Sequence, residues 1–348
     1  MAVSLDGLKA KFGGKFTKEK ISAGLDIGTA ATKLIKLKFT NGAPQLCAFN
    51  IEPTPGDVAG LLEKYAGSHL QDVKRVNVSV SGPSSIIRYV PFPKMKKEEL
   101  KAALKFEAEK HIPFAIGEVF LDGCILKEDL PDNKMLVLLA AVKKDALNQR
   151  LKSVNEAGFK AAVVDNDSLA LINAFNFNYG SDPNIKAKTV ALLNIGSSFS
   201  NLNILESGIP RFTRDFQFGS HNFTQKIADV LSVDFKGAES FKCNPDQVRL
   251  EKVKPAIEAM LSNLANEVRL SFDFYESQST ATVAKLFLSG AGSLFVGLKD
   301  MLGGLMGSEI AYWDPLKAIP LSNGLDPEKL KPVLPQLAVA VGLALRSQ

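Results

Sequence analysis

The sequence predicts an α/β protein of two similar halves, with a small α/β unit inserted in the first, and three observations lead there. Gly24-Leu25-Asp26-Ile27-Gly28-Thr29 is echoed by Leu192-Leu193-Asn194-Ile195-Gly196-Ser197-Ser198, so position 26 corresponds to position 194. The offset of 168 residues is close to half of the 348-residue chain, the spacing a duplication leaves. Each copy repeats one local pattern: an apolar run, a glycine with a small hydroxyl residue, then a second strand-like run, Lys33 to Phe39 or Leu202 to Leu205. Between Ile86 and Phe159 the pattern is strand, helix, strand, strand, helix, which has no counterpart in the other half.

Taken in order, residues 1–20 form a basic tail in which Lys9, Lys11, Lys15, Lys18 and Lys20 alternate with Leu5, Leu8, Phe12 and Phe16. Gly13-Gly14 interrupts any helix there, so a frayed tail with a weak preference for anionic lipid is expected. The first half comprises 21–87, 160–185 and 332–348, and the insert 88–159. In the insert a helix over about 96–112 presents Leu100, Ala103, Leu104 and Ala108 on one face and stops before Pro113. Pro131-Asp132-Asn133 makes a turn, Met135 to Val142 a strand buried on both faces, and a helix over about 145–157 ends at Gly158. The second half spans 186–331, with a helical portion over about 222–280. There a helix over about 255–275 carries the core stripe Ile257, Leu261, Leu264, Val268 and Phe272. A loop from Trp313 to Pro335 precedes the last helix.

Composition limits the function classes. Apolar residues make up 46 % and charged residues 23 % of the chain, close to globular averages of about 45–50 % and 25 %, which excludes wholesale disorder. The longest apolar runs, Met135 to Val142 and Leu337 to Leu345, fall short of the roughly 20 residues of a membrane-spanning helix. With no signal peptide at the N-terminus, the cytosol is the expected compartment. A net charge of +5 is too small and diffuse to point to nucleic acid. Cys47, Cys124 and Cys243 lack metal or disulfide spacing and are expected as buried thiols; His69, His111 and His221 are equally scattered.

The chemistry concentrates in the glycine turns. A glycine beside a small hydroxyl residue in a tight hairpin lets successive backbone N–H groups converge on one point, the kind of nest that holds phosphate. Asp26, just before the first turn, is placed to hold a phosphate-bound Mg²⁺ through water, and Lys33 to neutralise a phosphate from the outgoing strand. A third cluster, Ser289-Gly290-Ala291-Gly292-Ser293, follows an apolar strand and makes room for a base or ribose. It lacks the third glycine of a dinucleotide fingerprint, and no Gly-x-x-x-x-Gly-Lys-Ser/Thr sequence exists, which removes the P-loop class.

Two phosphate hairpins in duplicated halves and a late glycine turn resemble the superfamily of actin, hexokinase and the heat-shock chaperone ATPases. From about Ile21 to Arg346 the chain further resembles the PilM family of type IV pilus assembly proteins, relatives of FtsA. The matching text runs through Gly24 to Lys33, Phe92-Pro93-Lys94-Met95, Glu98-Glu99-Leu100, His111-Ile112-Pro113-Phe114, Val164 to Leu171, the second hairpin, Phe212-Thr213-Arg214-Asp215 with Gly219, Ala238-Glu239 with Lys242, and Ala338 to Arg346. The resemblance implies an actin-like (ribonuclease H-like) fold with first-half subdomain 1A, an SHS2-type insert 1C and second-half subdomains 2A and 2B. It implies ATP and Mg²⁺ as ligands. Asp26, Gly28, Thr29 and Lys33 match the first phosphate loop, Gly196, Ser197 and Ser198 the second, Glu239 and Lys242 the pair flanking adenine and ribose, and Gly290, Gly292 and Ser293 the adenosine loop. It also implies a partner, the N-terminal cytoplasmic tail of PilN lying in a groove between 1A and 1C, together with other pilus platform proteins, and leaves a homo-oligomer open. The implied location is the cytoplasmic face of the inner membrane, reached through that partner.

Two positions depart from the family pattern. Asn194 stands where the second loop normally begins with aspartate, and an amide neither carries charge nor accepts a proton at neutral pH, so binding without efficient hydrolysis, at most a weak ATPase, is expected. Gly219-Ser220 replaces a frequent pair of glycines. Asp167 matches the polar residue that helps position water in relatives and is the remaining catalytic candidate; a helix N-cap ahead of Ser168 is its other reading. The alternatives to a nucleotide-binding scaffold are a kinase or active ATPase of the same superfamily, which Asn194 weakens, and an FtsA-like filament protein, for which a C-terminal amphipathic helix is expected and the chain stops at Gln348.

Overall fold

The computed structural model describes residues 19–346; most of the basic tail expected over 1–20 therefore lies outside the described residues. The first half opens with β1 (Lys20–Ile27), β2 (Ala31–Thr40) and β3 (Ala43–Pro53), followed by α1 (Val58–Ser68) and β4 (Arg75–Ser79). β1 is buried throughout from Ser22 to Ile27, as a central strand requires, whereas β2 buries Leu34, Leu37 and Phe39 and leaves Lys33, Lys36 and Lys38 only partly buried. The β2–β3 turn is Asn41-Gly42, both at positive φ (53° and 83°), which matches the twist of the flanking strands.

The insert follows: β5 (Ser85–Pro93), α2 (Lys97–Ala108), β6 (Val119–Leu130), β7 (Lys134–Lys143) and α3 (Lys144–Glu156). β7 is the middle strand of a three-stranded antiparallel sheet, β5-β7-β6, which explains its near-continuous apolar run. Leu100, Leu104 and Ala108 of α2 pack on Phe92, Met135, Val137 and Leu139 in a core of their own. α3 behaves differently. Val154, with Ala157 and Phe159 just beyond it, is buried among Leu61, Leu62, Tyr65 and Val76, so this helix shares the core of the first half.

The first sheet is completed by β8 (Lys160–Asp165), and α4 (Asp167–Tyr179) and α5 (Pro183–Lys186) lead to the second half. There β9 (Thr189–Ile195), β10 (Ser200–Glu206) and β11 (Ile209–Phe216) precede α6 (Ser220–Leu231), α7 (Phe235–Cys243) and α8 (Gln247–Ser277); β12 (Val283–Ser289), α9 (Leu298–Met306), β13 (Ile310–Tyr312), α10 (Pro327–Leu330) and α11 (Ala338–Ala344) follow. The two large sheets have one topology, β3-β2-β1-β4-β8 and β11-β10-β9-β12-β13, each with an antiparallel three-strand meander and two further parallel strands. The duplication expected from the echoed turns is thus a duplication of whole sheets. α4 and α11 pack against each other in the core shared by both sheets, where Gly342 lies directly on the Ala170 carbonyl and Gly24 on the backbone of α11, so neither site has room for a Cβ.

Three local expectations change. The insert helix ends at Ala108 and the chain reaches Pro113 through a turn. α8 runs for 31 residues and contains Pro255 instead of starting there. Pro255 is exposed, so the carbonyl that loses its partner faces water, and the buried stripe Val253, Ile257, Leu261, Leu264, Val268 and Phe272 outweighs a proline cost of about 3 kcal/mol. The cysteines are free, but Cys47 and Cys124 are half-buried and Cys243, the last residue of α7, is exposed. Among the described residues no helix is long and apolar enough to cross a membrane.

Candidate functional site

The two hairpins are built alike. Gly28 N–H donates to Ala31 O at 3.2 Å and Gly196 N–H to Phe199 O at 3.0 Å, so each glycine closes its turn onto the residue three positions on. A Cβ at Gly196 would strike that Phe199 carbonyl, which accounts for glycine there. The tips meet across the cleft between the halves: Thr29 Oγ1 and Ser197 Oγ, equivalent positions of the duplication, are 2.9 Å apart, and Ser198 Oγ donates to Thr29 Oγ1 at 3.2 Å. Around them lies a cavity of about 420 Å³, within the range of small-molecule sites. Asp26, Gly28, Thr29, Lys33, Asp167, Asn194, Gly196, Ser197, Ser198 and Gly290 all line it.

Lys33 does not project alone into this cavity. It sits opposite Asp26 in the β1–β2 register, its ammonium 3.0 Å from the carboxylate. Asn194 and Asn201 hold the corresponding places on β9 and β10, with Asn194 Nδ2 donating to Asn201 Oδ1 at 3.3 Å.

Asp167 is the first residue of α4, and the cap is Asn166, whose side chain accepts from Ser168 N–H at 2.8 Å. This corrects the alternative reading of Asp167 as the cap and frees its carboxylate for the cavity, where Ser81 Oγ donates to it at 2.5 Å. Burial, and then the nearby Asp26 charge, push the Asp167 pKa above the usual carboxylate range.

Four expected residues do not line the cavity. Glu239 and Lys242 pair on α7 at 2.6 Å and both hydrogen-bond Thr224 of α6, one turn beyond Ser220, which does line it. Gly292 lies against the Ile195 side chain and Ser293 is wholly buried with its hydroxyl on Gly290 O at 2.7 Å, so both support the loop from behind. Gly290 itself adopts φ +85° and presses on Asn194 and the Ile195 backbone, a conformation and a contact that favour glycine.

Ser81, Arg150 and Asn201 also line the cavity and were not singled out in the sequence. Arg150 comes from α3 and donates to Ile27 O at 3.0 Å; burial holds its pKa below the ordinary guanidinium value, against the opposing pull of Asp167 and Asp26. No local motif marks it. Asn201 was within reach, because the 168-residue offset maps Lys33 onto it.

These donors suit a polyphosphate with a hard cation. Hydroxyls and turn backbone come from both tips, Lys33 and Arg150 supply positive charge, and Asp26 and Asp167 supply carboxylates. Among the described residues no group of three His, Cys, Asp or Glu side chains is placed to hold a metal ion directly.

Comparison with solved structures places this architecture in the actin-like ATPase fold. The ethanolamine utilization protein EutJ from Carboxydothermus hydrogenoformans superposes with a TM-score of 0.53 at 14 % identity, covering 94 % of this chain and 90 % of its own. The ADP-bound MreB5 of Spiroplasma citri does so with 0.51 at 11 %, covering 93 % and 94 %. A structure described as a PilM-PilN type IV pilus biogenesis complex is far more similar, with a TM-score of 0.83 and 27 % identity over 93 % of this chain and 98 % of that one. The family model described as type IV pilus assembly protein PilM matches residues 24–348. The chain belongs to the PilM family of type IV pilus assembly proteins.

Proposed function

We propose that this protein is an ATP-binding scaffold of the type IV pilus inner-membrane assembly platform, working at the cytoplasmic face of that membrane through its partner. The observation that carries the nucleotide reading is the closure of two equivalent hydroxyl-bearing turns on one cavity, with Asp26 and Lys33 beside one turn and Asn194 and Asn201 beside the other. Asp26, Gly28, Thr29, Lys33, Gly196, Ser197, Ser198 and Gly290 would hold the phosphates and Mg²⁺. Glu239, Lys242, Gly292 and Ser293 would shape the nucleoside end. Asp167, bonded to Ser81 and raised in pKa, is the remaining group for placing water, and the uncharged Asn194 keeps hydrolysis slow.

The partner is the N-terminal tail of PilN, in a groove between the first half and the insert. Support comes from the PilM-PilN complex among the similar structures and from the half-buried apolar side chains of both parts, Phe49 and Ile51 of β3 and Cys124 and Leu126 of β6, which pack against one core. A short peptide there gains main-chain hydrogen bonds and pockets for alternate side chains. Nucleotide sets the conformation of the halves or their assembly. Calorimetric titration of the protein with Mg-ATP, and separately with the tail peptide in the presence and absence of Mg-ATP, tests the proposal; saturable binding of both is expected, and no binding of either overturns it.

A further inference from the structure

A second cavity, of about 400 Å³, lies between β5 of the insert and β11 of the second half, with Arg88 on one wall and Asp215 on the other. Gly82 and Phe199 line both this groove and the cavity at the hairpin tips, so the two spaces adjoin. A row of polar side chains crosses the second sheet between them. Ser289, Asn194, Asn201 and Asp215 are register neighbours on the four adjacent strands β12, β9, β10 and β11. Ser289 Oγ donates to Asn194 Oδ1 at 3.3 Å, Asn194 Nδ2 to Asn201 Oδ1 at 3.3 Å, and Asn201 Nδ2 to Asp215 Oδ1 at 2.6 Å. Both asparagines are nearly fully buried.

The row works only with amides at its centre. Each asparagine accepts on one side and donates on the other, whereas an ionised carboxylate only accepts, so aspartate at 194 or 201 would break the chain of bonds. The matching row of the first half, Ser79, Asp26, Lys33 and Ile51, has an ion pair at its centre and an apolar end. The second half alone ends in a charged group that faces the insert. Across the groove, Arg88 spends one donor on its neighbour's carbonyl, Ile87 O, at 3.0 Å.

We propose that Asn201 is a positioning residue that couples the nucleotide cavity to this groove, an inference that rests on the cavity taking a nucleoside triphosphate. Asn194 and Asn201 both line the cavity. A phosphate that draws the Asn201 amide toward the cavity pulls its Nδ2 away from Asp215 Oδ1, and the Asp215 charge is left for Arg88. Filling the cavity therefore draws β5 of the insert toward β11, and by linkage anything that closes the groove tightens nucleotide binding. The existing contact between the two strands, Tyr89 Oη to Thr213 Oγ1 at 2.9 Å with Thr213 donating to Asn203 at 2.8 Å, keeps them in register for that movement.

Hydrogen exchange of the full chain with and without Mg-ATP, read over residues 85–90 and 211–217 with calorimetry alongside, tests this. In the parent protein Mg-ATP slows exchange in both segments several-fold. Asp215→Asn, which still accepts from Asn201 but offers no charge, and Arg88→Gln each bind Mg-ATP with at most about a tenfold loss and lose the slowing. Equal slowing in parent and variants, or binding to the parent with no change in either segment, overturns the coupling. Absence of Mg-ATP binding to the parent overturns the nucleotide reading itself and the coupling with it.

Discussion

Asp26 and Lys33 face each other across the first hairpin with carboxylate and ammonium 3.0 Å apart, and both side chains are largely buried. Their duplicates, Asn194 and Asn201, keep the same register with a neutral amide contact at 3.3 Å. The cleft between the halves is thus lined by a charged pair on one side and by neutral amides on the other. Lys33→Met leaves Asp26 without its counter-charge beside the phosphate site and is expected to weaken Mg-ATP binding at least tenfold, about 1.4 kcal/mol, in calorimetric titration.

Rebuilding the charged pair in the second hairpin gives a sharper test. Asn194→Asp alone places a carboxylate opposite the neutral Asn201 and removes the amide donor to Asn201 Oδ1, and a loss of about 1–3 kcal/mol is expected in urea denaturation. The double variant Asn194→Asp/Asn201→Lys restores the geometry of the first half and should recover most of that loss. Phosphate release rising above the parent's rate only in variants that carry the new carboxylate is the expected result if the amide limits hydrolysis.

Asp167 is expected to trade stability for placement. Burial and the Asp26 charge raise its folded-state pKa above the unfolded value, so the folded chain binds the proton more tightly, and this group's contribution to stability is lost as pH rises through the raised value. Asp167→Asn should therefore melt higher than the parent at pH 7, with the gain vanishing below about pH 4, where the carboxyl is protonated in both states. Thermal unfolding between pH 3.5 and 8 measures it; a variant less stable than the parent at neutral pH contradicts the assignment.

The neighbouring Asp165 is shifted in the same direction but has an ion-pair partner. It is buried, its side chain 2 % exposed, and Arg346 Nε lies 3.2 Å from its Oδ2. Burial raises its pKa and Arg346 pulls it back. Arg346→Ala strands the carboxylate, and a loss of about 3–5 kcal/mol at neutral pH is expected. Protonating Asp165 removes the unpaired charge, so the deficit should shrink as pH falls, seen as converging melting temperatures of variant and parent.

Gly342→Ala tests the junction of the halves. Its Cβ would overlap the Ala170 carbonyl of α4, which is backbone and has little freedom to move. A destabilisation of at least about 1–3 kcal/mol is expected in chemical denaturation.

Much of the molecule was legible residue by residue. The hairpins were visible because a glycine turn between apolar runs is a local signal, and their 168-residue offset carried over to Gly28 and Gly196, Thr29 and Ser197, and Lys33 and Asn201. The core stripe of α8 was readable from its period, but its start was not, because burial of the apolar stripe carries the helix through Pro255, which is exposed, so that the carbonyl it leaves unpaired meets water. Arg150 was invisible. It reaches Ile27 from a helix 123 positions away, and nothing local distinguishes it from the other basic residues of that helix.

The sequence by itself determined the duplicated α/β architecture, the insert, and the residues of both turns, because period, turn chemistry and repeat spacing are properties of neighbouring positions. Only the tertiary structure decided what those residues face: that Lys33 is held by Asp26, that Asn166 and not Asp167 caps α4, that Glu239 and Lys242 bond to Thr224 and do not line the cavity, and that Asn194 belongs to a polar row ending at the insert. These are contacts between strands and helices far apart in the chain, and packing, not local spacing, sets them.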